Sequence, residues 1–178
     1  MRFWTTLFFK KFDKKIIILD ICGLICIDSG KEWEMFYGQF ERTFDDKNRV
    51  LIPAKFRDQL TNVVYLSRGL EDVLELRSEN DWNQFASELN SKNEFDTNVR
   101  TFKRAFFSRT QEIDIDKQGR IMIPQNITNL CAIGKNIVFV GVGNKVEIWD
   151  KAKFEKFQNE NPSEKLETLA QTISDKGF

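Results

Sequence analysis

Two short stretches of the sequence combine an aspartate, a turn-forming residue and an arginine. The first is Asp45-Asp46-Lys47-Asn48-Arg49, and the second is Asp116-Lys117-Gln118-Gly119-Arg120. An aspartate accepts backbone N–H groups across a tight turn, and asparagine and glycine tolerate the left-handed backbone that such a turn needs. Arginine grips a phosphate or a guanine edge through two parallel hydrogen bonds. The pattern therefore predicts two tight turns, each presenting an arginine that could contact DNA.

Both arginines also have a purely structural interpretation. Arg49 and Arg120 could pair with Asp45 or Asp116 and only hold the turn closed. Exposed ion pairs of this kind are common and contribute little to stability. The residues alone leave this alternative open.

Catalysis has weaker support in the sequence. The 178-residue chain contains no histidine, which removes the commonest general base. Carboxylate pairs such as Asp45 with Asp46, or Asp114 with Asp116, could in principle hold magnesium or act in acid–base steps. No phosphate-binding loop or nucleotide fingerprint accompanies them. We therefore predict a protein that is not an enzyme and that uses no cofactor or catalytic metal.

The cysteines indicate a reducing compartment, and the hydropathy pattern indicates a chain that does not span a membrane. Cys22, Cys26 and Cys131 are odd in number and lack the paired spacing of a metal site, so we expect reduced thiols, with Cys131 in the core. No apolar run approaches the ~20 residues that a membrane helix needs. These features predict a cytoplasmic protein.

The overall charge gives no bulk attraction to nucleic acid. The 27 lysines and arginines are balanced by 27 aspartates and glutamates, so any contact with DNA must use local basic patches. The 17 phenylalanines allow even small units to bury a large apolar area.

The two turns belong to a longer internal repeat. Asp45 and Asp116 are 71 residues apart, and the same offset aligns flanking residues of matching character: Glu41 with Glu112, Phe56 with Ile127, and Leu60 with Cys131. Such agreement indicates a duplicated unit. Each turn is preceded by a half-buried strand, Phe40–Phe44 or the strand of Ile113 and Ile115, in which apolar and polar residues alternate.

After each turn the repeat predicts the same order of elements. The apolar trios Val50–Ile52 and Ile121–Ile123 predict short buried strands, and Pro53 and Pro124 suit the first position of a following helix. Two further strands follow in each copy, Val63–Leu66 with Val73–Leu76 and Ile137–Val140 with Val146–Trp149. Helices carrying Trp82 and Phe85, or Phe154 and Phe157, close the copies. The fold class is therefore mainly β with short helices, in tandem copies.

A basic helix is predicted between the copies, over Thr97–Ser108. Val99, Phe102 and Phe106 share one face, with Arg100, Lys103 and Arg104 beside it. This helix is either a packed connection with a solvated face or a second contact with DNA or an acidic partner.

The predicted organisation has five parts. Residues 1–34 form an extension, 35–92 the first unit with its core at 39–81, 93–109 the connecting helix, 110–160 the second unit with its core at 110–153, and 161–178 a tail. The extension differs in character from the rest, and Lys31-Glu32 can be encoded as a ribosome-binding sequence ahead of Met35. We therefore expect Met35 to be the native start.

These residues resemble the MraZ family of bacterial proteins, whose units belong to the AbrB-type (SpoVT-AbrB) DNA-binding superfamily. The resemblance rests on the opening Met35-Phe36-Tyr37-Gly38, on both aspartate–turn–arginine motifs, and on the strand–proline–helix sequel. It covers roughly residues 35–155. The first copy departs from the family pattern by carrying Asn48 in place of glycine, a change that the turn should survive.

The resemblance implies a fold, an assembly and a function. The fold is a swapped-hairpin β-barrel in which paired units interlock, and the assembly is a ring-like homo-oligomer. The function is regulation of the division and cell-wall gene cluster by binding double-stranded promoter repeats, which would place the protein on the nucleoid. The DNA-binding residues that carry over are Lys47 and Arg49 in the first turn, with Arg120 and the displaced Lys117 in the second. An antitoxin-like interaction module is the alternative within this superfamily.

Overall fold

The computed structural model describes residues 35–175 and, before them, three strands. The chain divides into two compact units, Met1–Trp33 and Glu34–Phe178. In the first unit, β1 (Lys11–Phe12), β2 (Lys15–Asp20) and β3 (Gly23–Ile27) pair antiparallel in that order. Our predictions for Cys22 and for the origin of residues 1–34 lie outside the described residues and stay predictions.

The second unit contains eight strands and six helices in its described part. The strands are β4 (Phe36–Thr43), β5 (Arg49–Leu51), β6 (Val63–Arg68), β7 (Leu74–Ser78), β8 (Gln111–Asp114), β9 (Arg120–Met122), β10 (Asn136–Gly143) and β11 (Val146–Asp150). The helices are α1 (Ala54–Arg57), α2 (Glu79–Asn90), α3 (Thr97–Phe107), α4 (Gln125–Leu130), α5 (Lys151–Glu160) and α6 (Ser163–Asp175). This mixed architecture of antiparallel strands and short helices confirms the predicted fold class.

The two copies of the repeat exchange strands. Six strands form one sheet in the order β4-β10-β11-β7-β6-β8. The first strand of the first copy, β4, therefore pairs with β10 of the second copy, and β8 of the second copy pairs with β6 of the first. The third contact between the copies joins β7 to β11, where Glu75 faces Glu147. Each copy thus completes the sheet of the other, as the family resemblance implies.

The remaining two strands, β5 and β9, form a separate antiparallel ribbon. Val50 faces Ile121 at its centre, with Arg49 opposite Met122 and Leu51 opposite Arg120. Because Val50 and Ile121 are equivalent residues of the repeat, a pseudo-two-fold axis relates the copies at this point. Glu75 and Glu147 correspond after a one-residue slip in the repeat, and they face each other in the large sheet, so the same axis passes between them.

Side chains alternate across the ribbon between core and solvent. Val50 and Ile121 are buried, whereas Leu51 and Met122 are 43% and 58% exposed. The prediction of wholly buried strands over Val50–Ile52 and Ile121–Ile123 is therefore wrong at the middle residue of each. The reason is the two-residue period of an extended strand, which turns the middle residue away when its neighbours face inward.

The predicted prolines lie one residue earlier than expected. Pro53 and Pro124 precede α1 and α4 as N-cap residues with extended backbone angles, so the helices begin at Ala54 and Gln125. Behind them the predicted apolar residues are buried, among them Phe56, Ile127 and the free thiol of Cys131. Burial raises the pKa of that thiol, in agreement with the prediction of a core cysteine.

Helices α2 and α3 form an aromatic layer against β6. Trp82 of α2 stacks on Tyr65 of β6 at 5.1 Å and on Phe106 of α3 at 6.2 Å between ring centroids. Two of the three cations of α3 are engaged locally, since Arg100 donates to the carbonyl oxygens of Glu94 and Phe95 and Lys103 pairs with Glu94. These contacts favour a packed connecting helix over a second DNA contact.

The predicted tail carries helix α6. Leu166, Leu169 and Ile173 lie three and four residues apart, on one face of the helix, and all three are exposed. Among the described residues, no helix is long and apolar enough to cross a membrane.

Candidate nucleic-acid interface

The first turn is built around the carboxylate of Asp45. Its Oδ1 accepts the backbone N–H groups of Lys47 and Arg49, both at 2.9 Å. Its Oδ2 accepts the Arg49 side chain, from Nε at 2.8 Å and from Nη2 at 2.7 Å. The backbone closes between Asn48 N and the Asp45 oxygen at 3.0 Å. Asn48 adopts φ 57°, which confirms the left-handed conformation predicted for this position.

The second turn repeats the same arrangement. Asp116 Oδ1 accepts the N–H groups of Gln118 and Arg120 at 2.8 and 3.0 Å. Asp116 Oδ2 accepts Arg120 Nε at 2.8 Å and Nη2 at 2.7 Å. Gly119 has φ 78°. The backbone frame and the aspartate–arginine pair are therefore conserved between the copies.

The ion pairs shift the acidity of both aspartates. The hydrogen bond from the Arg49 side chain, joined by backbone N–H donors, lowers the pKa of Asp45 from 3.8 to about 2. The hydrogen bond from Arg120 likewise lowers the pKa of Asp116. At neutral pH both carboxylates are therefore charged, and their oxygens already accept hydrogen bonds from the turn backbone and the arginine. This use as turn acceptors, rather than as a free acidic pair, leaves them poorly suited to acid–base chemistry or to magnesium.

The pairing that the structural alternative describes is thus present in both turns. The side chains of Arg49 and Arg120 are 31% and 27% exposed, so they lie partly against the protein rather than projecting fully into solvent. Each arginine bonds its aspartate through Nε and Nη2. This geometry leaves Nη1 of the guanidinium to meet a further anion. Pairing with aspartate and contact with DNA are therefore compatible, because the carboxylate orients the guanidinium.

The ribbon brings the two turns into one surface. Arg49 and Arg120 are the first residues of β5 and β9. In the antiparallel pairing, Arg49 lies opposite Met122 and Arg120 opposite Leu51, so the two arginines are diagonal neighbours on the outer face. Strand geometry puts their Cα atoms roughly 8 Å apart. Between them lie the exposed side chains of Leu51 and Met122. The turns brace each other, since Ile52 N donates to the Gly119 oxygen and Ile123 N to the Asn48 oxygen, both at 3.0 Å.

The predicted lysines flank this surface. Lys47 and Lys117 are exposed within the first and second turns. No carboxylate among the described residues lies within ion-pair distance of either ammonium group. The fold thus brings all four predicted residues to one ribbon and its ends, and their role in binding DNA stays a prediction.

The residues around the turns differ between the copies, which the sequence reasoning missed. Asn48 donates its side-chain amide to the Ile123 oxygen at 3.1 Å. At the second turn, a Cβ placed on Gly119 would lie 2.3 Å from Nη1 of Arg57, so the arginine occupies that space. The repeat offset pairs Arg57 with Thr128, and this difference in the aligned copies is the signal that could have revealed it.

Comparison with known proteins gives a consistent result. The family model described as "MraZ protein, putative antitoxin-like" matches residues 35–105 and again residues 106–176. The chain belongs to the MraZ family. The two matches correspond to the two copies whose strands interlock around the ribbon.

Several curated relatives share most of this chain. The transcriptional regulator MraZ of Mycoplasmopsis pulmonis is 43% identical over 141 residues, covering 79% of this chain and 96% of the relative. The protein of the same name from Acetivibrio thermocellus is 39% identical over 141 residues, covering 79% and 97%. That from Mesoplasma florum is 38% identical over 140 residues, covering 78% and 95%.

Proposed function

We propose that this protein is a DNA-binding transcriptional regulator that contacts double-stranded DNA through the outer face of the β5–β9 ribbon. The observation that carries the proposal is the pair of oriented arginines, Arg49 and Arg120, on that face. The major groove of DNA is wide enough to admit a two-stranded ribbon. The names of the MraZ relatives, which describe transcriptional regulators, support this function.

Each part of the surface has a distinct role in this proposal. Arg49 and Arg120 contact guanine edges or phosphates, with the aspartates fixing their orientation. Lys47 and Lys117 contact phosphates, which supplies affinity without reading the sequence. Leu51 and Met122 fill the space between the arginines and exclude water from the contact.

The test is a fluorescence-anisotropy titration of the purified protein. The duplexes are the DNA directly upstream of the protein's own gene and a scrambled duplex of equal length and composition. We expect tighter binding to the upstream duplex, and loss of that preference in an R49A/R120A variant. Equal affinity of the parent protein for both duplexes would contradict sequence-specific regulation.

We further propose that the protein assembles with itself into a ring. One ribbon gives a small contact with DNA, and several ribbons in one particle multiply the affinity. Helix α6 supports this assembly, because Leu166, Leu169 and Ile173 form an apolar face that is exposed in the single subunit. A second copy of this chain can cover that face, and contacts between unlike surfaces form a ring when the rotation from one subunit to the next closes.

Light scattering at micromolar concentration checks the assembly. We expect a mass of several subunits for the parent protein and a smaller mass for L169E, which places a charge in the apolar face. The control is K156E, which changes an exposed lysine of α5. A monomeric parent protein would contradict the proposal.

The promoter target and the location in the cell are part of the same proposal. The family resemblance implies repeats upstream of the division and cell-wall gene cluster, and a cytoplasmic protein associated with the nucleoid. Chromatin immunoprecipitation from the native host checks both. Enrichment confined to other promoters would contradict the assignment of this target.

A further inference from the structure

Arg57 lies beside the second turn although it belongs to the first copy. It is the last residue of α1, and its side chain packs directly on Gly119, as the 2.3 and 2.7 Å approaches of Nη1 and Cδ to a hypothetical Cβ show. This placement follows from the exchange of strands. The end of β5 runs beside Gly119, so the helix that follows β5 reaches the opposite turn.

The corresponding position at the first turn has no charge. The repeat offset pairs Arg57 with Thr128 of α4, which is buried and donates its hydroxyl to the Gln125 oxygen at 3.0 Å. Asn48 uses its own side chain at that turn, by bonding the Ile123 oxygen. The two turns therefore differ in which position carries the larger side chain, the left-handed residue itself or its neighbour in the other copy. One turn carries a side chain and a small neighbour, and the other carries glycine and an arginine neighbour.

The charge of Arg57 replaces one that the second turn lacks. The repeat aligns Lys47, at the tip of the first turn, with the neutral Gln118 in the second. Arg57 is exposed, and no carboxylate among residues 35–174 lies within ion-pair distance of it. The guanidinium is thus held by packing on glycine while its charge faces solvent.

An open groove next to the turn provides the space for an anion. It has a volume of about 810 Å³, and Arg57 and Lys117 both line it. Two carboxylates also line it, Asp114 and Asp116. Asp116 is paired with Arg120 at 2.7 Å. Its charge is thereby balanced, so the groove carries the two positive charges of Arg57 and Lys117 and the one negative charge of Asp114.

We propose that Arg57 is a further DNA-binding residue, which contacts a backbone phosphate at the second turn together with Lys117. This inference rests on the DNA-binding function proposed above. Arg57 would therefore add affinity for any duplex rather than preference for one sequence. The second turn would carry three cations, Arg57, Lys117 and Arg120, against Lys47 and Arg49 in the first.

The experiment measures the salt dependence of binding in the full chain. The variants are R57T, which installs the residue of the other copy, and R57K, which keeps the charge. K156A removes one exposed cation from α5 and serves as the control. The probes are the upstream duplex and a scrambled duplex, titrated by fluorescence anisotropy between 50 and 200 mM salt, on the order of the range over which phosphate contacts are resolved. Thermal melting of each variant is recorded in parallel.

We expect R57T to weaken binding to both duplexes by a similar factor. The slope of log affinity against log salt should fall by about 0.9 for each subunit engaged with DNA, as for one lost phosphate contact. R57K should restore most of the slope, and K156A should match the parent protein. Normal binding and an unchanged slope in R57T, with or without a lower melting temperature, would overturn the inference and leave the proposed function intact. Failure of the parent protein to bind either duplex would overturn both.

Discussion

The two turns of this protein share one backbone frame and differ in what surrounds it. In each turn, an aspartate accepts hydrogen bonds from two backbone N–H groups and from the side chain of the arginine four residues later. The first turn holds its left-handed residue, Asn48, by a side-chain hydrogen bond to the other copy. The second uses glycine and accepts Arg57 from the other copy in the space that glycine leaves.

This difference shows what a duplication inside one chain permits. In a symmetric dimer of identical units, a substitution at the turn and one at the helix would appear at both ends of the ribbon. In the fused repeat, Asn48 and Gly119 can diverge separately, as can Arg57 and Thr128. The protein thereby keeps the frame that orients its arginines while presenting two unequal sets of cations.

The largest expected effect is a difference in DNA affinity between variants that lack the arginine of one turn or the other. R49A leaves only Lys47 at the first turn, whereas R120A leaves Lys117 and Arg57 at the second. We therefore expect R49A to lower affinity for the upstream duplex by at least about tenfold, the value of one good arginine contact. The loss in R120A should be smaller. Anisotropy titrations at one salt concentration measure both, and equal losses would remove the functional difference between the turns.

A second prediction concerns the left-handed residues. N48V loses the side-chain bond to the Ile123 oxygen and, as a β-branched residue, is also strained at positive φ, so it should lower the free energy of unfolding by about 1 kcal/mol more than N48G does. N48G relieves φ but loses the bond to the Ile123 oxygen, so it should cost roughly 0.5–1 kcal/mol. Denaturant unfolding measures both. Equal stability of the valine and glycine variants would contradict the described turn.

The matching change at the second turn is G119N. Its new side chain meets Arg57, so we expect a loss of about 1 kcal/mol that R57T partly restores. A double-mutant cycle measures this coupling. The absence of coupling would show that Gly119 and Arg57 are independent, and would break the comparison of the two turns.

The smallest expected effect concerns acidity. Asp45 has a pKa of about 2 in the folded protein against an ordinary 3.8. Because folding lowers this pKa, the pair stabilises the protein above pH 3.8, and that stabilisation is lost as the pH falls toward about 2. R49A should raise the pKa of Asp45 toward 3.8. Carboxyl-carbon NMR titration measures this change, with Asp116 as the internal control, whose pKa should stay low.

Much of the fold could be predicted from the sequence because its signals are local. Alternation marked the strands, and the left-handed slot shared by Asn48 and Gly119 marked the turns. The exposure of Leu51 and Met122 was missed, because three consecutive apolar residues suggest full burial and their facing is set by the partner strand. The contact of Arg57 with Gly119 was missed for a related reason. It joins residues of different copies, and only the exchange of strands brings them together.

The exchange of strands also determines the order in which paired strands become available during synthesis of the chain. Thr43 at the end of β4 faces Asn136 of β10, 93 residues later. At a synthesis rate of roughly 5–20 residues per second, β4 waits on the order of 5 to 20 seconds for its neighbour. The β6–β7 hairpin, joined by a short loop, can form meanwhile. Until β10 emerges, β4, with its Phe36 and Phe40 side chains, lacks the strand that completes its sheet.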